Sequence, residues 1–378
     1  MSEAARLTAE LVRIPSVNPA LDADSAGEGG LARHVAAWAE AQGLETRWLG
    51  PTDRPSVLVR LRGLGCGRTL MLNAHLDTVG VHGMEAPFEP RVRAGQMVGR
   101  GTMDMKASLA ACLLTLRDLR HDGELRGDVL LAAVADEEHD SIGTRAALAA
   151  LPEVDLAVVT EPTDLTLHVA HRGFAVVEVD LEGRASHTSQ PERGVNAVTQ
   201  LGRLLARVEA ADRDLRAAPP HRLLGHGGWQ AVLATGGQEL FTTPAAAQAS
   251  LERRTLPGQS AAAAEAEVAT MLDAVAADDP HLRAAIRTVV AREAFEAAAD
   301  DPAVAAVAAA AEAVTGRPPE RCGAPYWTDA ALIAGAGIPT VLYGPVGGGI
   351  HQPDEWVDLA SVDVLRHVLG RVARDVCA

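Results

Sequence analysis

Aromatic residues are scarce in this chain of 378 residues, at 3%, and cysteine occurs only four times. The cysteines, Cys66, Cys112, Cys322 and Cys377, are far apart and form no C-x-x-C pair, which favours a reducing compartment over a disulfide scaffold. No apolar run approaches the length that spans a bilayer. The N-terminus has no basic segment followed by an apolar one, so no signal peptide is indicated. These absences predict a cytoplasmic protein that does not bind membranes.

Clusters of Lys and Arg are also lacking, and the formal net charge is −16. Binding to nucleic acid requires a basic face that neutralises phosphates, so the charge argues against a nucleic-acid partner. No G-x-G-x-x-G follows an early strand, which disfavours a nucleotide-binding oxidoreductase. The length of 378 residues exceeds the size at which a single core usually stops growing, so we expect two domains.

Strand-like and helix-like segments alternate through the first 170 residues. Strands are predicted at 57–61, 69–74, 129–135 and 156–160, and helices at 31–41 and 107–119. Such alternation is typical of βαβ units with a mainly parallel sheet. The same texture returns from about residue 300, with an alanine-rich helix, a helix after Asp329 and a strand at 339–343.

The segment between these regions has a different pattern. Residues 174–181 alternate, with Ala175, Val177, Val179 and Leu181 on one face, which indicates a half-exposed antiparallel strand. Residues 247–256 alternate as well, and a helix is predicted at 259–276. A further helix is predicted whose inner side is lined by Val195, Val198, Leu201, Leu205 and Val208.

We therefore predict an α/β fold with a mainly parallel mixed sheet flanked by helices, the catalytic domain, built from residues 1–171 and 291–378. A smaller α+β domain, an antiparallel sheet with two helices, is inserted at residues 172–290.

Side chains that bind metals follow several of the predicted strands at the point where each strand ends. His75 and Asp77 follow 70–74, Glu137 and Glu138 follow 129–135, Glu161 follows 156–159, His351 comes shortly after 340–343, and Asp104 opens the helical stretch that contains 107–119. The carboxyl ends of strands in an open α/β sheet border one crevice, so these groups are predicted to converge. Several carboxylates in one crevice repel each other unless a cation lies between them. The pattern predicts a metal site.

Imidazole and carboxylate ligands suit zinc, with cobalt or manganese as substitutes. One catalytic zinc takes three protein ligands and an open position, so five ligands suit two ions that share a bridging carboxylate. The adjacent Glu137 and Glu138 fit this chemistry if one binds metal while the other takes a proton from water.

The motifs around these residues resemble those of one family. They are AHLDTV at 74–79, GRGTMDMK at 99–106, DEE at 136–138, TEPT at 160–163 and IHQP at 350–353. The chain resembles the two-zinc metallohydrolases that include acetylornithine deacetylase, succinyl-diaminopimelate desuccinylase, aminoacylase and glutamate carboxypeptidase. The resemblance covers nearly the whole chain, including the insert.

The resemblance implies a role for each of these residues. Asp104 would bridge two zinc ions, His75 and Glu161 would complete one centre, and Glu138 and His351 the other. Glu137 would be the general base. Asp77 would hydrogen-bond the far nitrogen of His75 and fix its tautomer.

Each residue also has a structural alternative when it is taken alone. His75 alone is more typical of a buried structural histidine, Asp104 alone fits a helix N-cap, and Glu137–Glu138 alone are usually a solvated acidic turn. Asp329 resembles a family position near the substrate, but an N-cap role explains it equally well, so it is not counted as a site residue.

Two residues of the insert complete the predicted site. By resemblance, His187 reaches across the interface of a homodimer to donate a hydrogen bond to the tetrahedral oxyanion, and Arg254 binds the α-carboxylate of an N-acyl amino acid. The alternatives are a solvated loop histidine and an exposed ion pair between Arg254 and Glu252. Many relatives carry Asn-x-Val-Pro where this chain has Phe241-Thr242-Thr243-Pro244, which weakens inference of the substrate from them.

The predicted function is hydrolysis of the amide bond of an N-acyl amino acid with a free carboxylate, as in acetylornithine deacetylase. Within the same chemistry, a desuccinylase, or a dipeptidase or carboxypeptidase acting on a short peptide, remains an alternative. A different class of protein, a non-catalytic paralogue that only binds metal, remains open as well.

Overall fold

The computed structural model describes residues 1–123 and 125–378. Its helices are α1 (Glu3–Val12), α2 (Gly29–Ala41), α3 (Ala107–Asp122), α4 (Ile142–Ala150), α5 (Ala197–Ala217), α6 (Ala264–Asp278), α7 (Pro302–Thr315), α8 (Ala330–Gly335) and α9 (Leu359–Val376). Its strands are β1 (Glu45–Leu49), β2 (Ser56–Leu61), β3 (Leu70–His75), β4 (Arg91–Arg93), β5 (Gln96–Val98), β6 (Val129–Val134), β7 (Leu156–Val159), β8 (Leu167–His171), β9 (Gly173–Glu182), β10 (Gly228–Gly236), β11 (Ala246–Thr255), β12 (Ala284–Arg292), β13 (Phe295–Glu296), β14 (Arg321–Ala324), β15 (Thr340–Leu342), β16 (Gly347–Gly348) and β17 (Trp356–Asp358).

The chain divides into two compact units. The first consists of Met1–Val169, Ala297–Cys322 and Thr328–Ala378, and the second of Ala170–Glu296 and Gly323–Trp327. The sequence pattern placed residues 323–327 in the second part of the catalytic domain. This short segment follows no periodicity and lies far along the chain from the insert, so the pattern gave no reason to group it with the second unit.

The first unit is built on a mixed sheet with the strand order β1-β2-β6-β3-β7-β15-β8. Its four central strands, β6, β3, β7 and β15, run parallel, whereas β1, β2 and β8 join antiparallel at the two sides. Every residue of β3, β6 and β7 is buried. Parallel strands read as continuous apolar runs because both of their faces are covered. The predicted α/β class is confirmed.

Helices cover the sheet of the first unit. Helix α3 packs on β3 and β6 and contacts α1 and α9, while α2 and α4 pack against β1 and β2. A second small sheet of the same unit has the order β16-β17-β5-β4, with Val357 of β17 opposite Met97 of β5. In this small sheet, β5 precedes the Asp104 motif, and β16 and β17 lie on the two sides of His351 along the chain. The sheet therefore connects the two segments.

The second unit is an antiparallel sheet in the order β10-β11-β9-β12, with α5 and α6 packed against it. Ala175, Val177, Val179 and Leu181 of β9 are buried, as their alternation predicted. In α5 the prediction for Val198 was wrong, since this side chain is 40% exposed. Asn196 caps the helix by accepting from the Thr199 amide, and Ala197, Leu201, Leu204 and Val208 face the core.

In the residues described by the structure, no helix combines the length and the apolar composition needed to cross a membrane.

Candidate metal centre

The first group of predicted ligands lies around His75, the last residue of β3. His75 Nε2 is 2.8 Å from Asp104 Oδ1 and 3.8 Å from Glu161 Oε1. All three residues are buried, and one ligand atom of each lies within 4.8 Å of the other two. Glu161 follows β7, which pairs in parallel with β3, so the two ligands reach the same edge of the sheet.

A second group shares Asp104 with the first. His351 Nε2 is 3.1 Å from Glu138 Oε1 and 3.3 Å from Asp104 Oδ2, and one atom from each residue lies within 4.8 Å of the others. Asp104 thus turns one oxygen toward each histidine. The structure therefore brings all five predicted ligands together, with Asp104 between the two groups.

Asp104 owes its position to an irregular turn rather than to a helix. Its φ and ψ are −121° and 91°, and α3 begins only at Ala107. The alternative of a helix N-cap is wrong, because no side chain caps α3 through a hydrogen bond. His351 also stands in an unusual conformation, with φ at 62°. A positive φ is uncommon for a residue other than glycine and often marks a functional position.

Buried negative charge dominates the electrostatics of the two groups. Burial raises the pKa of Glu161, and the nearby Asp104 carboxylate raises it further; burial and Asp104 act on the pKa of Glu138 in the same way. Burial of His75 by itself lowers its pKa, but the hydrogen bond with Asp104 and the charge of Glu161 hold it well above its usual value. Hydrogen bonds to Asp104 and Glu138 raise the pKa of His351 to about 10.

Without a cation, the repulsion between these carboxylates is reduced because some of them bind protons and because the two histidines become positively charged. Divalent cations would perform the same neutralisation, and the mixed imidazole and carboxylate donors are of the kind that bind zinc. The residues present therefore fit divalent metal ions.

Glu137 is the carboxylate next to the centre that belongs to neither group of ligands. Burial raises its pKa well above the usual value, and the charges of Glu161 and Asp329 raise it further. A buried carboxylate with a raised pKa is suited to accept and release a proton near neutral pH.

Asp77 holds this arrangement in a way that the sequence predicted only in part. The acceptor for His75 Nδ1 is the backbone carbonyl of Asp77, at 2.9 Å, whereas its carboxylate lies at 3.6 Å. The expected hydrogen bond between Asp77 and the far nitrogen of His75 is therefore present, with the backbone carbonyl as its acceptor, and it fixes the Nδ1–H tautomer. The carboxylate instead accepts the backbone N–H groups of Glu137 and Glu138, both at 3.1 Å.

Sequence reasoning missed the residues that surround Asp77. Asn18 Nδ2 donates to Asp77 Oδ2 at 2.8 Å and to Asp136 Oδ1 at 3.1 Å. Arg54 Nη2 donates to Asp136 Oδ1 at 2.8 Å and to the buried Glu28 at 2.5 Å. Asn18, Glu28 and Arg54 lie in none of the motifs described above and are far from Asp77 along the chain, so no local signal connected them with it.

Asp329 is a buried neighbour of the centre, and the N-cap explanation for it is wrong. Helix α8 begins after Asp329 without a side-chain cap, and Asp329 Oδ2 accepts from Thr144 Oγ1 at 2.5 Å. Burial raises the pKa of Asp329 to about 6.

Lys106, at the end of the Asp104 motif, is the only lysine of the chain. It is fully buried, and its Nζ donates to the carbonyl of Ile14 at 2.7 Å. Burial lowers its pKa to about 7.

We expect Lys106→Met to remove a pH dependence of stability. The pKa of lysine is about 10.4 in an unfolded chain and about 7 for folded Lys106, so between these values the unfolded chain binds more protons. The free energy of unfolding then rises with pH, by at most about 1.4 kcal/mol per pH unit. Denaturant unfolding across this range, on the wild type and the variant, measures the difference. Equal slopes for the two proteins would contradict the assignment.

In the second unit, His187 lies exposed in the loop after β9. Its Nδ1 accepts from the Ser189 amide at 3.1 Å, so the neutral ring carries its proton on Nε2. Arg254 of β11 donates from Nε and Nη2 to Glu252, at 2.8 and 3.3 Å, and stacks over Phe174 at 5.1 Å. The Arg254–Glu252 pair that the sequence left open is thus present, and it occupies one edge of the guanidinium.

A comparison with known families decides the classification. The sequence profile of Peptidase family M20/M25/M40 matches residues 71–375, which is most of the chain. The chain belongs to this family. Like its named relatives, this M20/M25/M40 protein is a hydrolase, and the predicted resemblance is confirmed.

Curated relatives of this M20/M25/M40 protein are deacylases. Succinyl-diaminopimelate desuccinylase of Dinoroseobacter shibae is 30% identical over 397 residues, covering 100% of both chains. Acetylornithine deacetylase of Proteus mirabilis is 29% identical over 387 residues, covering 97% of this chain and 95% of that one.

Solved structures share the fold. Aminopeptidase PepT from Bacillus cereus has a TM-score of 0.80 at 21% identity, covering 100% of this chain and 98% of that chain. A dinuclear metal-binding M20 peptidase from Bacillus subtilis has a TM-score of 0.74 at 15% identity, covering 99% and 97%.

Proposed function

We propose that this M20/M25/M40 hydrolase is a two-zinc amidohydrolase that removes an acyl group from the α-nitrogen of an amino acid with a free carboxylate. The observation that carries the proposal is the pair of ligand groups that share Asp104, with the carboxylate of Glu137 left over beside them. His75, Asp104 and Glu161 would hold one ion, and Asp104, Glu138 and His351 the other. Cobalt or manganese can replace zinc at such ligands.

The bound ions would supply Lewis-acid chemistry, because they make water more acidic and polarise an amide carbonyl. Glu137 takes the proton from the attacking water and delivers it to the leaving amine. Asp77 accepts hydrogen bonds from the backbone amides of Glu137 and Glu138. These bonds hold the backbone so that one side chain can bind metal while the other accepts the proton. A non-catalytic paralogue would have no need for a carboxylate that lies beside the two ligand groups and belongs to neither.

His187 and Arg254 are proposed to bind the substrate. The proton of His187 on Nε2 gives it a donor suited to a developing oxyanion. In Arg254, Glu252 engages Nε and Nη2, while no residue of the described chain accepts from Nη1. The Nη1–Nη2 edge is then available for a carboxylate, with the ring of Phe174 and the Glu252 pair holding the guanidinium in place.

Arg254→Met is expected to raise KM for an N-acyl amino acid by about 10–100-fold, because charge-assisted hydrogen bonds contribute about 1.5–3 kcal/mol. Because the contact is to a remote group of the substrate, kcat should change less. Arg287→Met is a matched control, since Arg287 lies on the same sheet and pairs with Glu178. Steady-state kinetics of both variants measure the effect. A KM that rises equally in both would remove the assigned role from Arg254.

Exposed apolar side chains at one edge of the second unit support a homodimer. Strand β10 is an edge strand of its sheet, and Leu233 on it is 67% exposed. In the loop after β10, Leu240 and Phe241 are 81% and 72% exposed. An edge strand with exposed apolar side chains is a ready surface for another chain. Sedimentation velocity on the purified protein measures whether two copies associate.

Within this chemistry the acyl group separates the candidates. N-acetylornithine and N-succinyl-diaminopimelate represent the two named kinds of relative, and a dipeptide panel represents the peptidase alternative. Turnover of these compounds with added zinc or cobalt, compared with chelator-treated enzyme, tests the proposal. Metal-dependent hydrolysis of an N-acyl amino acid supports it, and a preference for dipeptides would replace it with the alternative. A folded protein that binds no divalent ion would overturn both.

A further inference from the structure

Glu355 is a fully buried carboxylate that lies four residues after His351 and belongs to no predicted motif. Its Oε1 accepts the backbone N–H groups of Met103, at 2.8 Å, and Asp104, at 3.1 Å. Its Oε2 accepts from Arg100 Nη1 at 2.7 Å and from the backbone N–H of Gly101 at 2.9 Å. Each oxygen therefore serves two donors of the turn that carries Asp104.

Backbone hydrogen bonds also hold this turn, among them those from the Lys106 amide to the Gly101 carbonyl, at 2.8 Å, and from the Thr102 amide to the Gly99 carbonyl, at 3.2 Å. Residues Thr102–Lys106 form a distorted π-helical turn, in which Asp104 itself has non-helical φ and ψ angles. Backbone N–H groups that are buried without a partner are costly, and three of those in the turn find their acceptor in one side chain. Arg100 is 2% exposed, so its charge also depends on Glu355 for neutralisation.

Glu355 also joins two separate parts of the centre. It lies in the loop between His351 and β17, and β17 pairs with β5, which leads into the Asp104 turn. The backbone that presents His351 is thus tied to the turn that presents Asp104, both by a ladder of strands and by the four hydrogen bonds of one carboxylate. The two segments that are joined in this way bring His351 Nε2 to 3.3 Å from Asp104 Oδ2.

We propose that Glu355 is a positioning residue of the metal centre. By binding the Asp104 turn from the His351 loop, it sets the geometry of two ligands before any ion arrives. This inference rests on the proposed role of Asp104 and His351 as ligands, and it acts through them, since Glu355 itself faces backbone and Arg100 rather than substrate. Groups that orient ligands in this way affect metal affinity by about 10–100-fold.

The variant Glu355→Gln tests the idea sharply. An amide has a single oxygen, so whichever way it points, its NH2 group faces two N–H donors that the carboxylate had satisfied. We expect the dissociation constant for zinc to rise by about 10–100-fold, measured by competition with a chelating dye. At saturating zinc, kcat should return to within a few-fold of the wild-type value, because Glu355 does not take part in the reaction.

Asp128→Asn provides the matched control. Asp128 is a buried carboxylate of the same unit that accepts from the Gly63 amide, at 2.8 Å, and from Arg60. It precedes β6, at the opposite end of that strand from Glu138. We expect this variant to lower the melting temperature and to leave zinc affinity unchanged. Equal loss of zinc affinity in both variants, or unchanged affinity in Glu355→Gln, would overturn the proposal.

A measurement on the wild type keeps the proposal testable if Glu355→Gln fails to fold. In full-length protein freed of metal by a chelator, the amides of Gly101, Met103 and Asp104 should exchange hydrogen far more slowly than those of the exposed turn at Ala94–Gly95. Exchange as fast as in that turn would show that Glu355 does not hold the ligand before metal binds. Absence of zinc binding by the wild type would instead count against the metal centre itself.

Discussion

Glu137→Gln is expected to lower kcat for the hydrolysed substrate by about 10²–10⁴-fold while leaving both metal ions bound. Glutamine keeps the shape of the side chain but cannot accept the proton of the attacking water. Since Glu137 belongs to neither group of metal ligands, its loss should not loosen an ion. Steady-state kinetics together with metal analysis of the dialysed protein measure the two quantities on one sample.

The neighbouring residue supplies the control. Glu138→Gln changes an adjacent carboxylate by the same few atoms, yet Glu138 Oε1 lies 3.1 Å from His351 Nε2 in the second ligand group. This variant should lose affinity for one ion, and added metal should restore part of its activity. Added metal should do nothing for Glu137→Gln. Turnover at the wild-type rate in Glu137→Gln would remove the residue from the proposed reaction.

Asp104→Ala is expected to have the largest effect on metal content, lowering it from about two ions per chain to near zero. Each catalytic zinc usually requires three protein ligands. Removal of the shared residue leaves only His75 and Glu161 on one side, and Glu138 and His351 on the other. Activity should fall at least as far as in Glu137→Gln, because both ions are affected together. Isothermal titration with zinc measures the stoichiometry and the affinity.

His351→Ala is the informative comparison, because it removes a ligand from one group only. The first group, formed by His75, Asp104 and Glu161, remains whole in this variant, so about one ion per chain should stay bound. Two ions retained by Asp104→Ala, or one ion lost by both variants alike, would argue against a bridging position for Asp104. The melting temperature of each variant without metal separates loss of ligands from loss of fold.

Four of the predicted ligands were accessible from the sequence because of a general property of parallel sheets. His75 is the last residue of β3, whereas Glu138, Glu161 and His351 come after β6, β7 and β15, and these central strands run parallel. Their carboxyl ends therefore meet at one edge. Local apolar runs identify the strands. The side chain at the end of each run can then be assigned to the same edge of the sheet from the sequence alone. The alternation of β9 and β11 is readable for the same reason, since strand period depends on local geometry alone.

Other features were wrong or absent in the sequence analysis because they depend on neighbours that are distant along the chain. Val198 was assigned to the core, but α5 packs on its sheet through Ala197, Leu201, Leu204 and Val208 and leaves Val198 40% exposed. Asp329 looked like a helix cap and instead bonds Thr144, which lies on another element. In both cases a local pattern allowed two outcomes, and the packing of other segments selected one.

The sequence by itself determined the central strands, the α/β class and the identity of the five ligand candidates, because each depends on patterns within a few residues. Only the tertiary structure decided which atoms meet: the carbonyl rather than the carboxylate of Asp77 at His75, and Glu355 beneath the Asp104 turn. Hydrogen bonds like the one from the Asp104 amide to Glu355 join residues that are far apart along the chain, in this case by 251 positions. They form wherever folding brings a buried donor next to an acceptor. A local sequence pattern therefore cannot predict which residues become partners.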